Sequence, residues 1–243
     1  MANPTAAMLV IGDEILSGRT RDANLHYLAG QLTAAGIDLK EVRVVSDDRD
    51  AIVFAVQSLS VRYDHVFTSG GIGPTHDDIT ADCIAAAFDT PIDVRDDARQ
   101  LLAAYYELQG LEFNDARMRM ARIPDGAELI DNPVSNAPGF SLKNVHVMAG
   151  VPSVFQAMVA SVLPRLTGGE PLISASIRID RGEGELAGPL ADLAEAHPEV
   201  SFGSYPFVRN GLYGANIVVR GRPASSVDSA VDALCAIFPD AIR

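Results

Sequence analysis

Short apolar runs alternate with stretches that place apolar residues three or four apart, and this alternation continues through roughly the first two thirds of the chain. Ala6 to Ile11 reads as a first strand, and the segment from Asp22 to Ala35 as a helix with Leu25, Leu28 and Leu32 on one face and Gly36 as its stop. Val42, Val44 and Val45 mark a second strand, closed by Ser46-Asp47-Asp48; a helix with Ile52, Val56 and Leu59 inward follows, then a strand at His65-Val66-Phe67. Helices are expected over Ala81 to Phe88, over Asp96 to Gly110 with Leu101, Leu102, Tyr105 and Leu108 as its apolar positions, and over Val154 to Leu166. Pro138-Gly139-Phe140 and Val145 to Met148 read as a hairpin with Lys143-Asn144 at its tip. Alternation of this kind predicts βαβ units and a mostly parallel sheet.

Thr167 to Pro171 is the expected linker. Beyond it the pattern changes to strand (Leu172 to Ile179), helix (Glu185 to Ala196), two strands (Val200 to Tyr205, Ala215 to Val219) and helix (Ala224 to Ile237), a βαββα order that predicts a small two-layer α+β domain. The expected boundaries are residues 1–168 and 171–243. With 243 residues, 48% of them hydrophobic, the chain is long enough for one large core and a smaller one.

The richest stretch is Thr68 to Thr80, TSGGIGPTHDDIT. Gly70, Gly71 and Gly73 fall where a strand gives way to a helix, and without a Cβ the backbone there can bring several N–H groups onto a phosphate beside a helix dipole. Asp77 and Asp78 set two carboxylates next to that place. Carboxylates repel phosphate unless a divalent cation bridges them or they handle protons during attack. The competing account is a tight turn with Asp78 or Thr80 capping the next helix. The stretch matches neither a P-loop, since no Lys-Ser/Thr pair follows, nor a dinucleotide fingerprint. A second turn, Gly150-Val151-Pro152-Ser153, repeats the strand-to-helix arrangement, with Ser153 placed to cap the helix or to bond an anion. Ligands of open parallel sheets bind beyond the carboxyl ends of the strands, so the two turns reinforce each other. Asp13 and Glu14, after the first strand, are expected on the same edge.

The net charge of −13 argues against duplex nucleic acid or an anionic membrane as partner, because both need Lys and Arg to neutralise phosphate. Any phosphorylated ligand must then be met by backbone N–H groups, a metal or single basic residues, such as Arg117, Arg119 and Arg122, whose plainer reading is a solvated face. Cys83 and Cys235 give no metal or disulfide spacing and read as buried thiols of a reducing compartment. The N-terminus carries no basic and apolar leader pattern, so a cytoplasmic protein is expected.

Six motifs in order resemble one family: Ile11 to Gly18 (IGDEILSG), Ser46-Asp47-Asp48, Gly70 to Asp78 (GGIGPTHDD), Ala137 to Phe140 (APGF), Gly150 to Ser153 (GVPS) and Gly203 to Pro206 (GSYP). The chain resembles the molybdenum-cofactor biosynthesis (MoaB/MogA-like) domain, and specifically the N-terminal part of CinA-type competence/damage-inducible proteins, over nearly its whole length. The resemblance implies a three-layer α/β domain with a mostly parallel sheet, a small C-terminal α+β domain, and a homo-oligomer. It places a carboxylate after the second strand, Asp47 or Asp48, and another at Asp78 in an active site. Thr75, Thr80, Gly139, Gly150, Pro152 and Ser153 join Asp13, Glu14 and the loop glycines as expected substrate contacts, and Asp78 with Asp48 is the expected pair for Mg²⁺, Mn²⁺ or Co²⁺. Two activities follow from it: metal-dependent hydrolysis of a pyrophosphate bond in ADP-ribose or a similar nucleotide, or binding and adenylylation of molybdopterin. A non-catalytic binding domain is the third. The sequence departs from the family at Val154-Phe155, where Glu-Met is usual, which removes one carboxylate. The deamidase domain of full-length relatives has no counterpart here, and that activity is not expected.

Overall fold

The structure, a computed structural model, describes residues 2–209 and 211–243. The chain folds as two compact units that divide between Gly169 and Glu170. In the first, a six-stranded sheet is built from β1 (Thr5–Ile11), β2 (Asp38–Val45), β3 (His65–Ser69), β6 (Glu128–Ile130), β7 (Gly139–Leu142) and β8 (Val145–Met148), in the order β2-β1-β3-β8-β7-β6. The β2-β1, β1-β3 and β3-β8 pairings are parallel, whereas β7 runs against both its neighbours.

Side-chain alternation along β1 explains the three layers. Ala7, Leu9 and Ile11 face one side and pack with Ile52, Val56 and Leu59 of α3 (Arg49–Arg62), Cys83 and Ile84 of α4 (Thr80–Ala87) and Leu102 of α5 (Asp96–Leu108). Ala6, Met8 and Val10 face the other and pack with Leu28 and Leu32 of α2 (Asn24–Ala34) and Phe155, Met158 and Val162 of α7 (Pro152–Val162). A sheet covered on both faces has to be apolar on both, and six of the seven β1 residues are buried.

Several details differ from the sequence pattern. On α5 the inward positions are Ala98 and Leu102, while Leu101 and Leu108 are 48% and 83% exposed; one good contact stripe suffices for a helix at the margin of the core. Three-residue strands β4 (Ile92–Val94) and β5 (Arg122–Pro124) pair with each other outside the main sheet and are too short to carry a readable period. Part of the expected linker is fixed: the Gly169 N–H donates to the Gly36 carbonyl at 3.1 Å, and a Cβ on Gly168 would sit 2.0 Å from the Ala35 carbonyl oxygen. Of the two cysteines, Cys83 is buried, with burial pushing its thiol up to about 11, and Cys235 is only partly covered.

The second unit has the order β9 (Ile173–Ile179), α8 (Glu183–Ala196), β10 (Val200–Arg209), β11 (Leu212–Gly221) and α9 (Ala224–Ile237), with an antiparallel sheet β10-β11-β9. Both helices close one core, built on Ile177, Ile179, Ile217 and Val219 from the sheet and Leu186, Leu193, Val231 and Leu234 from the helices. Strand β10 runs on past Tyr205 through Pro206, which an edge strand tolerates because its outward N–H groups have no ladder partner. Among the described residues no helix is long and apolar enough to cross a membrane.

Candidate functional site

Chain connectivity leaves β1 for β2 on one side and returns to place β3 on the other, so the strand order reverses between β1 and β3. Neighbouring connections there depart in opposite directions and leave a crevice beyond the carboxyl ends of the strands. A cavity of about 540 Å³ occupies that position, lined by Ile11 and Gly12 at the end of β1, Gly70 to Gly73 after β3 and Gly150 to Pro152 after β8.

The two glycine turns meet. Gly70 has φ of 109°, and a Cβ on it would lie 2.2 Å from the Ile11 carbonyl oxygen; a Cβ on Gly150 would lie 3.3 Å from the Gly70 Cα. Backbone packed against backbone admits only glycine at Gly70. Gly71 is likewise left-handed, with Thr80 Oγ1 where its Cβ would be. Fully buried Thr80 ties the loop down: its N–H donates to the Gly71 carbonyl at 2.9 Å and its hydroxyl to the Gly70 carbonyl at 3.1 Å. The glycines are thus separated from the helix by six residues in sequence, yet the first turn of α4 folds back onto them.

Asp78 lines the cavity, but one of its oxygens also closes the loop on itself, accepting the Thr75 N–H at 2.8 Å and the Thr75 hydroxyl. Asp77 is exposed and also lines the cavity, whereas the His76 side chain is 98% exposed. Across from them stand Glu14 and Asp47, and Asp47 Oδ2 accepts the Asp13 N–H at 3.0 Å. Burial pushes the Asp47 carboxyl up from its ordinary value, the Asp13 N–H opposes this, and the charges of Asp13, Glu14 and Asp77 push it further up. Such a cluster favours a cation or a shared proton.

The sequence left Asp47 and Asp48 equivalent; the fold separates them. Asp48 turns its carboxylate onto the Ala51 N–H at 2.9 Å as the N-cap of α3, and the cavity is lined by Asp47 instead. Asp48 with Asp78 therefore does not form a pair in this cavity. Ser153 does not cap α7 either: the cap position is Val151, Pro152 opens the helix, and exposed Ser153 lies within the first turn. Gly139 sits in β7 under the Val147 carbonyl, where a Cβ would come within 2.4 Å, and serves strand packing.

Two asparagines that the motifs did not single out hold the site together. Asn24, 3% exposed, donates from Nδ2 to Ser69 Oγ at 2.7 Å and to the Gly150 carbonyl at 2.8 Å, clamping the ends of β3 and β8. Its sequence signal was a polar residue in line with Leu28 and Leu32 on a buried stripe, in a helix start already served by Asp22, whose carboxylate accepts the Leu25 N–H at 2.8 Å. Asn132, 2% exposed, accepts the Val134 and Ser135 N–H groups and donates to Ser135 Oγ and the Ala137 carbonyl, folding the segment after β6 over the cavity. Met120, Val154 and Met158 complete an apolar wall. Among the described residues no group of three or more His, Cys, Asp or Glu forms a metal cage by itself.

Fold and cavity together define a three-layer α/β domain with an acidic cavity at its strand reversal. The chain belongs to the family described as "Probable molybdopterin binding domain", which matches residues 7–168, in its CinA-like group; residues 171–243 match "FAD synthase, middle domain". A "Probable FAD synthase" of Caenorhabditis elegans is 31% identical over 255 residues, covering 95% of this chain and 49% of that protein. A "CinA-like protein" of Myxococcus xanthus is 33% identical over 209 residues, 81% of this chain and 50% of its own length. The chain thus spans about half the length of these relatives. The crystal structure of the protein CinA, with unknown function, from Thermoplasma acidophilum aligns with a TM-score of 0.62 at 32% identity, over 68% of this chain and 99% of that one.

Proposed function

We propose that the first unit binds a nucleotide diphosphate of the ADP-ribose or FAD class and hydrolyses its pyrophosphate bond with the help of a divalent cation. One observation carries the reading: glycine turns able to present backbone N–H groups line a single cavity together with the carboxylates of Glu14, Asp47 and Asp77. Relatives that bear the name FAD synthase bring the dinucleotide into view, and the family description brings the pterin.

The donor set fits Mg²⁺, Mn²⁺ or Co²⁺ in the manner of an ion shared with its substrate. Such ions use one or two carboxylates plus phosphate oxygens rather than a protein cage, in keeping with the absence of a three-ligand group among the described residues. Asp77, with the free oxygen of Asp78, would hold it together with phosphate oxygens of the substrate. When bound, the ion offsets phosphate charge and lowers the pKa of a coordinated water. Among the protein's own groups, the Gly71 to Gly73 and Gly150 turns orient the phosphates, the Gly70 N–H being already donated to the Met148 carbonyl at 3.1 Å, and the apolar wall receives a flat ring. Asp47, whose carboxyl is held above its ordinary range, takes the proton of a water as its oxygen bonds to phosphorus and the bridging P–O bond breaks, giving two phosphomonoesters.

The test is incubation of the full chain with ADP-ribose or FAD and each metal, with separation of the products. Release of a mononucleotide, falling about 100-fold or more in Asp47→Asn, supports the reading. The apolar wall with its adjacent anion turn also favours molybdopterin, and tight pterin binding without turnover of either nucleotide selects that function instead. If neither nucleotide nor pterin is bound, the cavity is not a site for either ligand.

A further inference from the structure

Beside the main cavity lies a narrow cleft of about 20 Å³ on the other side of the glycine loop. That space holds roughly one water or one oxygen of a phosphate. Gly71, Ile72, Gly73, Asp78 and Met120 line both spaces, so the loop is the partition between them. The main cavity is acidic. The cleft has Arg119 and Arg122 on its outer wall, and these are the cations lining either space among the described residues.

The three arginines of this segment have separate fates. Arg117 donates to the Glu112 carbonyl and stacks over Tyr106 at 4.3 Å. Arg122 is paired with Asp82 at 2.5 Å. Arg119 is exposed, and among the described residues its guanidinium makes no hydrogen bond or ion pair. Its backbone, by contrast, is fixed. It opens a 3₁₀ turn (Arg119–Ala121) whose Ala121 carbonyl accepts the Arg95 N–H at 2.9 Å, directly before β5. A permanently charged group with five donors, no partner and an anchored main chain is therefore held at the rim of a site.

The geometry points to Arg119 as the anion-binding arm of this site, reaching over the Gly73 side of the loop to a phosphate oxygen of the ligand. This rests on the phosphate-ligand reading of the main cavity and adds what that reading lacks, a fixed positive charge. With Glu14, Asp47, Asp77 and Asp78 all around the bound phosphates, backbone dipoles and a shared metal ion meet one flank of the ligand, and Arg119 meets the other. A guanidinium takes two phosphate oxygens in a forked contact, which a lysine cannot reproduce.

Binding of two probes, ADP-ribose and inorganic pyrophosphate, each with Mg²⁺, is to be measured by calorimetry on the wild-type chain, Arg119→Ala and Arg119→Lys at low and high salt. We expect Arg119→Ala to weaken both probes about ten-fold or more with reduced salt dependence, and Arg119→Lys to fall between. Thermal unfolding should be nearly unchanged, because among the described residues the side chain makes no hydrogen bond or ion pair to lose. Wild-type affinity and salt dependence in Arg119→Ala for both probes would overturn the assignment while leaving the proposed function standing. Binding of pyrophosphate but not ADP-ribose by the wild type, with loss of pyrophosphate in Arg119→Ala, would keep the arm and remove the nucleotide. Binding of neither probe by the wild type removes both.

Discussion

Strands β3 and β8 lie side by side and parallel, and at their two ends burial shifts an acid and a base in opposite directions. At the carboxyl ends, glycine turns keep side chains out, a cavity opens, and the carboxyl of Asp47 is driven up by burial and by neighbouring acids. At the amino ends, His146 is 5% exposed, its Nδ1 is hydrogen-bonded with Ser141 Oγ at 2.9 Å, and its Nε2 lies 3.3 Å from His65 Nδ1. Burial there drives His146 down to about 3, helped by His65, and lowers His65 as well. Both ends disfavour charge. Both ends border a cavity, but at the amino ends the histidines and Ser141 are hydrogen-bonded to one another, whereas at the carboxyl ends several acids of one sign converge on the space, which is the arrangement that asks for a ligand.

The largest expected effect breaks the open end. Gly70→Ala forces a side chain into a left-handed position against the Ile11 carbonyl and should lower stability by about 3 kcal/mol, with loss of ligand binding. The same change at Gly126, also left-handed but with open space around it, should be limited to about 1 kcal/mol. Denaturant titration of the two variants measures the difference.

Acid should act at the amino ends. Because the folded pKa of His146 lies below its unfolded value of 6.5, its contribution is fully present above about pH 6.5 and falls by about 1.4 kcal/mol per pH unit as pH drops toward 3. His65 adds to this in the same direction, with Asp64 opposing. His146→Gln should flatten the acid limb of a stability profile taken between pH 7 and 4; an unchanged limb would mean that the histidines are not what fails in acid.

Asn24→Ala should cost about 2 kcal/mol, since it strands the buried Ser69 hydroxyl and the Gly150 carbonyl, and should weaken ligand binding with them. Retained binding despite the lost stability would show that the two turns meet without the clamp. The smallest effect carries the opposite sign. The folded pKa of Asp47 is raised, so the stability tied to it is complete below the unfolded value near 3.8 and is lost as pH rises through the folded one. Asp47→Asn should therefore gain less than about 1 kcal/mol at pH 7 and nothing in acid, while activity falls. Matched stability and activity losses would instead identify Asp47 as a structural carboxylate.

The apolar run of β1, the stripes of α2 and α3, and the glycine loop were legible in the sequence because each depends on contacts within a few residues or on a pattern the sheet and helix impose. Element order also carried the change from a parallel to an antiparallel unit. Which of Asp47 and Asp48 faces the cavity was not legible, because one residue of offset at the end of β2 exchanges a helix cap for a cavity wall. The same holds for Asn24, which meets Gly150 across 126 residues of chain, and for Arg119, distinguished from Arg117 and Arg122 only by partners that those two have found. Local chemistry fixed what each residue was able to do; the packing of distant segments decided which of them was left facing open space, since hydrogen bonds and ion pairs are short-range and are claimed by whatever the fold brings near.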